Sequence, residues 1–167
     1  MSAILRFLLL AVLVLMPGLA VAQGANLAFG GGAGDPNAEV EVTADTLTFD
    51  RDNGNVTFSG DVLVVQGGFR LTSASLTVIY VSTDGGGQQI DRMEASGGVV
   101  FAMGEDAAEA REALYTPASR QLVLTGDVLV TQGAATITGE RMTVDMDTGL
   151  GTVEGRVRTV LTPGGAP

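Results

Sequence analysis

An enzyme built from this chain would have to work with carboxylates, hydroxyls or phenols, because the 167 residues contain no His, no Cys and no Trp. That removes histidine-based triads, thiol nucleophiles and the usual transition-metal ligands together. Acidic side chains are plentiful, but Asp50, Asp52, Asp84, Asp145 and Asp147 lie in turn-forming runs with Gly, Asn or Thr. There Asp serves to hydrogen-bond its own backbone. Asp50-Arg51-Asp52-Asn53-Gly54 has the beginning of a calcium loop, yet the position that needs a closing glutamate is Gly60. The run Gly30-Gly31-Gly32-Ala33-Gly34 lacks the lysine and the flanking strand and helix of a phosphate loop. The expectation is a non-enzyme with no catalytic residue, no bound metal and no cofactor.

What organises the chain instead is repetition. Gly60-Asp61-Val62-Leu63-Val64-Val65-Gln66-Gly67 returns as Gly126-Asp127-Val128-Leu129-Val130-Thr131-Gln132-Gly133, an offset of 66 at which ten of the twenty positions from Ser59 to Val78 recur. A second offset, 95, lays Leu47-Thr48-Phe49-Asp50 onto Met142-Thr143-Val144-Asp145. Glycines at 60, 97, 126 and 155 anchor the copies. Such self-similarity marks stacked supersecondary units that bury one continuous face together.

Each unit alternates at period two, as in Val62/Val64, Leu76/Val78/Tyr80, Leu122/Leu124, Val128/Val130 and Met142/Val144/Met146, which predicts short strands with one apolar face. Asn53-Gly54, Gly67-Gly68, Gly85-Gly86-Gly87, Gly133 and Gly149 supply the turns between them. Residues 105–114, rich in Ala and Glu, are the one stretch past the N-terminus with a helical look. The offset of 66 places Tyr115 on Phe49, so a strand competes with the helix there.

The N-terminus reads as an export signal. Arg6 precedes an apolar run from Phe7 to Met16, Pro17-Gly18 breaks it, and Ala20-Val21-Ala22 offers the small-x-small pattern of a cleavage site. The expected organisation is a signal peptide at 1–22 cut after Ala22, a flexible Gly/Ala-rich lead-in at 23–37, one domain at 38–162 and a tail at 163–167. Loss of Arg6 with the leader leaves 8 basic against 19 acidic residues, about −11, which repels nucleic acid. Absence of Cys excludes disulfides and a lipidated N-terminal cysteine.

The ordered set Val40-x-Val42-x-Ala44-Asp45-x-Leu47-x-Phe49-Asp50, Gly60-Asp61-Val62-x-Val64-x-Gln66-Gly67, Leu76-x-Val78-x-Tyr80, Ile90-Asp91-Arg92-Met93-Glu94-Ala95-Ser96-Gly97-Gly98-Val99 and Leu122-Val123-Leu124-Thr125-Gly126-Asp127-Val128 resembles the OstA-like periplasmic family. The resemblance runs from about Glu39 to Arg158. It implies an all-β fold, a twisted, partly open β-jellyroll of short antiparallel strands whose interior shields the acyl chains of lipopolysaccharide or lipid A. Within the family, the size and the leader match the small periplasmic members that carry lipopolysaccharide from the inner to the outer membrane. Partners implied are the inner- and outer-membrane transport components with related domains, and further copies of the chain stacked head to tail. Two other readings compete: an anchored inner-membrane component of the same pathway, and a secreted structural β-solenoid with no ligand.

The inward, lipid-facing set expected from the alternation is Val40, Val42, Leu47, Phe49 and Phe58; Val62, Val64, Phe69, Leu71, Leu76 and Val78; Met93, Val99 and Phe101; and Leu124, Val128, Val130, Ile137, Met142 and Val144. Ordinary core packing is the alternative role for each. Arg70 and Arg92 are the cations that the sequence offers to lipid phosphates.

Overall fold

The glycine anchors of the repeat turn out to be the crease of a single folded sheet. The structure, a computed structural model, describes residues 25–29 and 38–162, so the expected signal peptide and the C-terminal tail lie outside the described residues. Eleven strands form one antiparallel sheet: β1 (Ala25–Ala28), β2 (Val40–Thr43), β3 (Thr46–Phe49), β4 (Val56–Gln66), β5 (Phe69–Ser82), β6 (Gln88–Met103), β7 (Asp106–Thr116), β8 (Gln121–Gln132), β9 (Ala135–Asp145), β10 (Leu150–Glu154) and β11 (Arg158–Leu161). The spatial order β1-β10-β9-β8-β7-β6-β5-β4-β2 is an up-and-down meander apart from β1, with β3 also on β4 and β11 also on β9. β1 and β2 stand at the two ends of the path and do not pair with each other, so among the described residues the sheet is open and not a closed barrel.

The pairing register slips in every long strand at one level: between Ser59 and Val62, Thr72 and Ser75, Ser96 and Val99, Glu109 and Glu112, and Thr125 and Val128. At that level Gly60-Asp61, Gly97-Gly98, Gly126-Asp127 and Gly155-Arg156 all have positive φ. Each pair is a bulge that adds a residue against its neighbour and bends the strand. Glycine is required by space as well as by φ. A Cβ on Gly60 would lie 2.4 Å from Asp45 Oδ2, and one on Gly97 would lie 2.6 Å from Ala74 Cβ. The interruptions between β2 and β3 and between β10 and β11 fall at the same level, opposite Gly60 and Glu140 respectively, so each of those pairs is one bent strand.

Bending at a common line folds the sheet into two facing walls, one built from the strand halves below the bulges and one from the halves above. The apolar face of each wall is covered by the other. Val62, Val99, Phe101, Val128 and Val130 on one side, and Leu76, Val78, Leu124, Met142, Val144 and Val153 on the other, are buried in one cluster. Packing of this kind is the fold's main support, since the ion pairs among the described residues are largely solvent-exposed.

One expectation needs correction, and one open alternative is decided. Residues 25–28, expected within a flexible lead-in, form β1 in register with β10, Ala25 opposite Val153 and Ala28 opposite Leu150. Phe29 follows, fully buried, its ring 5.5 Å from that of Phe101. Burial of Ala25, Leu27 and Phe29 on alternate positions supplies what the Gly/Ala-rich composition hid. Residues 105–114 are β7 and not a helix, because both flanks of the segment find strand partners in β6 and β8.

Candidate functional site

Between the two walls, reaching from beside the crease to the strand ends, lies a cavity of about 300 Å³. Val64, Phe69, Leu71 and Phe101 line it from one wall, and Leu76, Met93, Ala95, Ala113, Leu122 and Met146 from the other. Gln66 and Phe69 flank the β4–β5 turn, while Tyr115, Pro117 and Arg120 surround the β7–β8 turn, so the cavity opens toward those two hairpin tips. Its wall is aliphatic and aromatic, with polar groups from Gln66, Tyr115 and Arg120. Such a site can enclose an acyl chain; it has no nucleophile–base pair, and among the described residues no cluster of acidic side chains is placed to hold a metal ion.

The alternation placed the inward residues on the inner face, although their burial is uneven. Val62, Val64, Leu71, Leu76, Val78, Val99, Phe101, Leu124, Val128, Val130, Ile137, Met142 and Val144 are buried. Val42, Phe58, Phe69 and Met93 are half-buried against that cluster. Val40, Leu47 and Phe49 remain exposed, Leu47 by 60% and Phe49 by 56%. The reason is position: Leu47 faces inward beside Phe58, and Phe49 beside Val56, but among the described residues no strand lies beyond β3 to cover them.

Only part of the set meets the cavity. Val40, Val64, Phe69, Leu71, Leu76, Met93 and Phe101 line it, whereas Val128, Val130, Ile137 and Val144 pack where the walls have closed. Phe29 sits at the boundary between the two regions. Its ring stacks on Phe101, which also meets Phe69 at 5.9 Å. Its N–H donates to Gly149 O at 2.7 Å, and Gln132 Nε2 donates to Ala28 O and to Asp106 Oδ2. The N-terminal strand thus ties the edge of one wall to the hairpin tips of the other.

Several lining residues escaped the sequence. Ala95 and Ala113 are too small to mark a face, Ile90 and Tyr115 lie near strand ends, and Arg120 sits in a turn. The two arginines that the sequence offered are placed elsewhere. Arg92 is held by Glu94 and Asp91 at 2.8 and 2.6 Å, which raises its pKa further. Arg70 borders a shallow depression at the crease with Asp61, Thr72 and Gly97, outside the trough.

The turns carry the acidic residues as expected. Asp50 accepts from the Asn53 side chain and from the N–H groups of Asp52 and Asn53, and these bonds hold its carboxyl below the ordinary Asp value. Asp145, its counterpart at the offset of 95, does the same: the Thr148 N–H chiefly, with the Asp147 N–H and the charge of Arg120, lowers its pKa. These carboxylates cap turns, which accounts for their spacing without catalysis.

Comparison with known proteins agrees with this geometry. The family model of the LptA/(LptD N-terminal domain) LPS transport protein matches residues 41–150. An uncharacterized protein of Rhizobium meliloti (strain 1021) is 30% identical over 132 residues, covering 74% of this chain and 71% of its own. The crystal structure of LptH, the LptA-homologous periplasmic component of the lipopolysaccharide transport device of Pseudomonas aeruginosa, superposes with a TM-score of 0.63 at 21% identity. It covers 78% of this chain and 99% of that one, and at this identity it speaks for the fold, a β-jellyroll. With a matching family model over most of the domain and a creased, apolar-lined sheet, the chain belongs to the LptA/LptD N-terminal domain family of lipopolysaccharide transport proteins, whose members are transporters and not enzymes.

Proposed function

We propose that the protein is the periplasmic carrier of this transport system, holding lipopolysaccharide by its acyl chains between the two walls and passing it from inner toward outer membrane. The observation that supports this most is the cavity of about 300 Å³ between the walls, apolar on both sides and open at the hairpin tips. Its size is at the lower limit of ordinary ligand sites. Enclosing a chain of about a dozen carbons would stabilise it by roughly 10 kcal/mol at about 0.8 kcal/mol per methylene. A lining of similar aliphatic groups makes successive positions of the chain close in energy, so movement needs no chemical step.

Photo-crosslinkers at Phe69 and Met93, half-buried beside the cavity, are expected to capture lipopolysaccharide, and one at the exposed Thr48 is not. Equal labelling at all three positions would reject the trough. Export with cleavage after Ala22 predicts an intact mass beginning at Gln23. A chain that begins at Met1 would favour the anchored inner-membrane reading.

The same reading includes head-to-tail stacking. The β2/β3 edge carries exposed Val40, Leu47 and Phe49, and the β1/β10/β11 end carries exposed Leu150, Val160 and Leu161. Unpaired strand edges with apolar side chains are surfaces on which another strand can dock.

A further inference from the structure

Among the described residues, Arg120 is the one charged side chain that lines the cavity. Its placement is fixed by the backbone. The residue has φ of +50°, donates its N–H to Pro117 O at 3.2 Å and accepts from Met146 N–H at 2.9 Å, so the β7–β8 turn is tied to the end of β9 on both sides of the side chain. The Nε is buried and forms an ion pair with Asp147 Oδ1, without hydrogen-bond alignment. Asp147 itself is 60% exposed. A guanidinium presents five donors in a planar fork, and Nε is the atom that the ion pair engages.

We propose that Arg120 is an anion-recognition site at the mouth of the trough, taking the phosphate headgroup of an acylated amphiphile whose chain lies along Phe69, Met93 and Leu122. The inference rests on the acyl-chain reading of the cavity and adds the headgroup chemistry to it. An apolar channel ending at a planar cation matches a molecule with a hydrocarbon tail and a phosphate head, and arginine binds that head by paired charge-assisted hydrogen bonds. The surrounding field makes the placement selective: a chain of net charge −10 repels anions generally, so an anion is admitted only where a cation is held. Asp147 is the direct competitor, and the carboxylate of Asp145 also lies within reach of the Arg120 charge. Because Asp147 is largely hydrated, its release from Arg120 costs little, and the arginine can exchange the carboxylate for the phosphate without leaving a buried charge unpaired.

The pair Arg120 and Asp147 separates recognition from a purely structural ion pair. Displacement of a neutral fluorescent naphthylamine from the purified protein is read with dodecyl phosphate, dodecanol and inorganic phosphate. The wild type is expected to bind dodecyl phosphate about tenfold more tightly than dodecanol. Arg120→Gln should remove that preference and leave dodecanol binding in place, while Asp147→Asn should enlarge it. If the two residues served only to hold the turn, both variants would shift the two amphiphiles alike, and that outcome overturns the site. Displacement by inorganic phosphate at the concentrations of dodecyl phosphate would show a site for the free ion and reject the lipid headgroup. Binding of neither amphiphile to the wild type removes the acyl trough and this site with it; binding of both without preference removes the site alone.

Discussion

Gly97 shows how much of the fold depends on single residues. It has φ of +85° and a neighbour, Ala74 Cβ, 2.6 Å from where its own Cβ would stand. Gly97→Ala is therefore expected to destabilise the protein by about 2 kcal/mol, from left-handed strain and the clash together. Gly68→Ala, where nothing lies within 4 Å and φ is not positive, should change stability by no more than about 0.5 kcal/mol. Urea unfolding of the two variants checks the contrast. The carboxylates of Asp50 and Asp145 have pKa values lowered by their turn bonds, so their contribution is present above the ordinary Asp value of 3.8 and is lost as pH falls through the folded values. Carboxyl titration by NMR should find both groups below the ordinary Asp value, and Asp145→Ala should make stability less dependent on pH in that acidic window. These glycines and turn acids were legible in the sequence because they recur at the repeat spacing. Arg120 was not, since a cation in a turn acquires a role only from the cavity that the fold brings beside it.

At the scale of the element, the crease explains both what the sequence revealed and what it disguised. Through β8 the buried positions run Leu122 and Leu124, then Val128 and Val130, in phase on both sides of the crease because the bulge spans two residues, Gly126 and Asp127. On β7 the buried positions are Ala108, Ala110 and then Ala113, a step of three where the strand crosses the crease. That step imitates the i, i+3 spacing of a helix, and with Ala and Glu as the residues it gave residues 105–114 their helical look. β1 was hidden differently: its alternating Ala25, Leu27 and Phe29 are few and stand next to a glycine run. Phe29→Ala should cost about 3 to 5 kcal/mol, the range for a buried phenylalanine, measured by urea unfolding. It should also lengthen the cavity past Phe101, so that the variant accepts longer alkyl chains than the wild type in the same displacement assay.

The whole molecule is a stack with two uncovered ends, and its assembly follows from that. Both ends expose apolar side chains, Phe49 at one and Leu161, 71% exposed, at the other, but copies with a net charge of −10 each repel one another. Salt screens this repulsion, so sedimentation is expected to show weak, concentration-dependent self-association that strengthens as salt is raised. A strict monomer at high concentration and moderate salt, with lipid bound, would rule out a bridge made by this chain alone. Val40→Asp with Phe49→Asp should abolish the association without unfolding the protein, because both side chains are already in contact with water.

The pairing of β1 with β10 has a kinetic side. From β4 to β9 every strand meets the one that follows it, so each hairpin closes a short loop. Ala25, by contrast, must wait for Val153, at the far end of the chain. Closing a loop of that length comes after the local hairpins have formed, which makes the first strand synthesised the last one seated. Interactions made after the transition state slow unfolding and leave folding nearly untouched. Deletion of residues 25–29 should accordingly speed unfolding in a chevron measurement and change the folding arm little. The N-terminal strand then acts as a latch on a sheet that is otherwise already built.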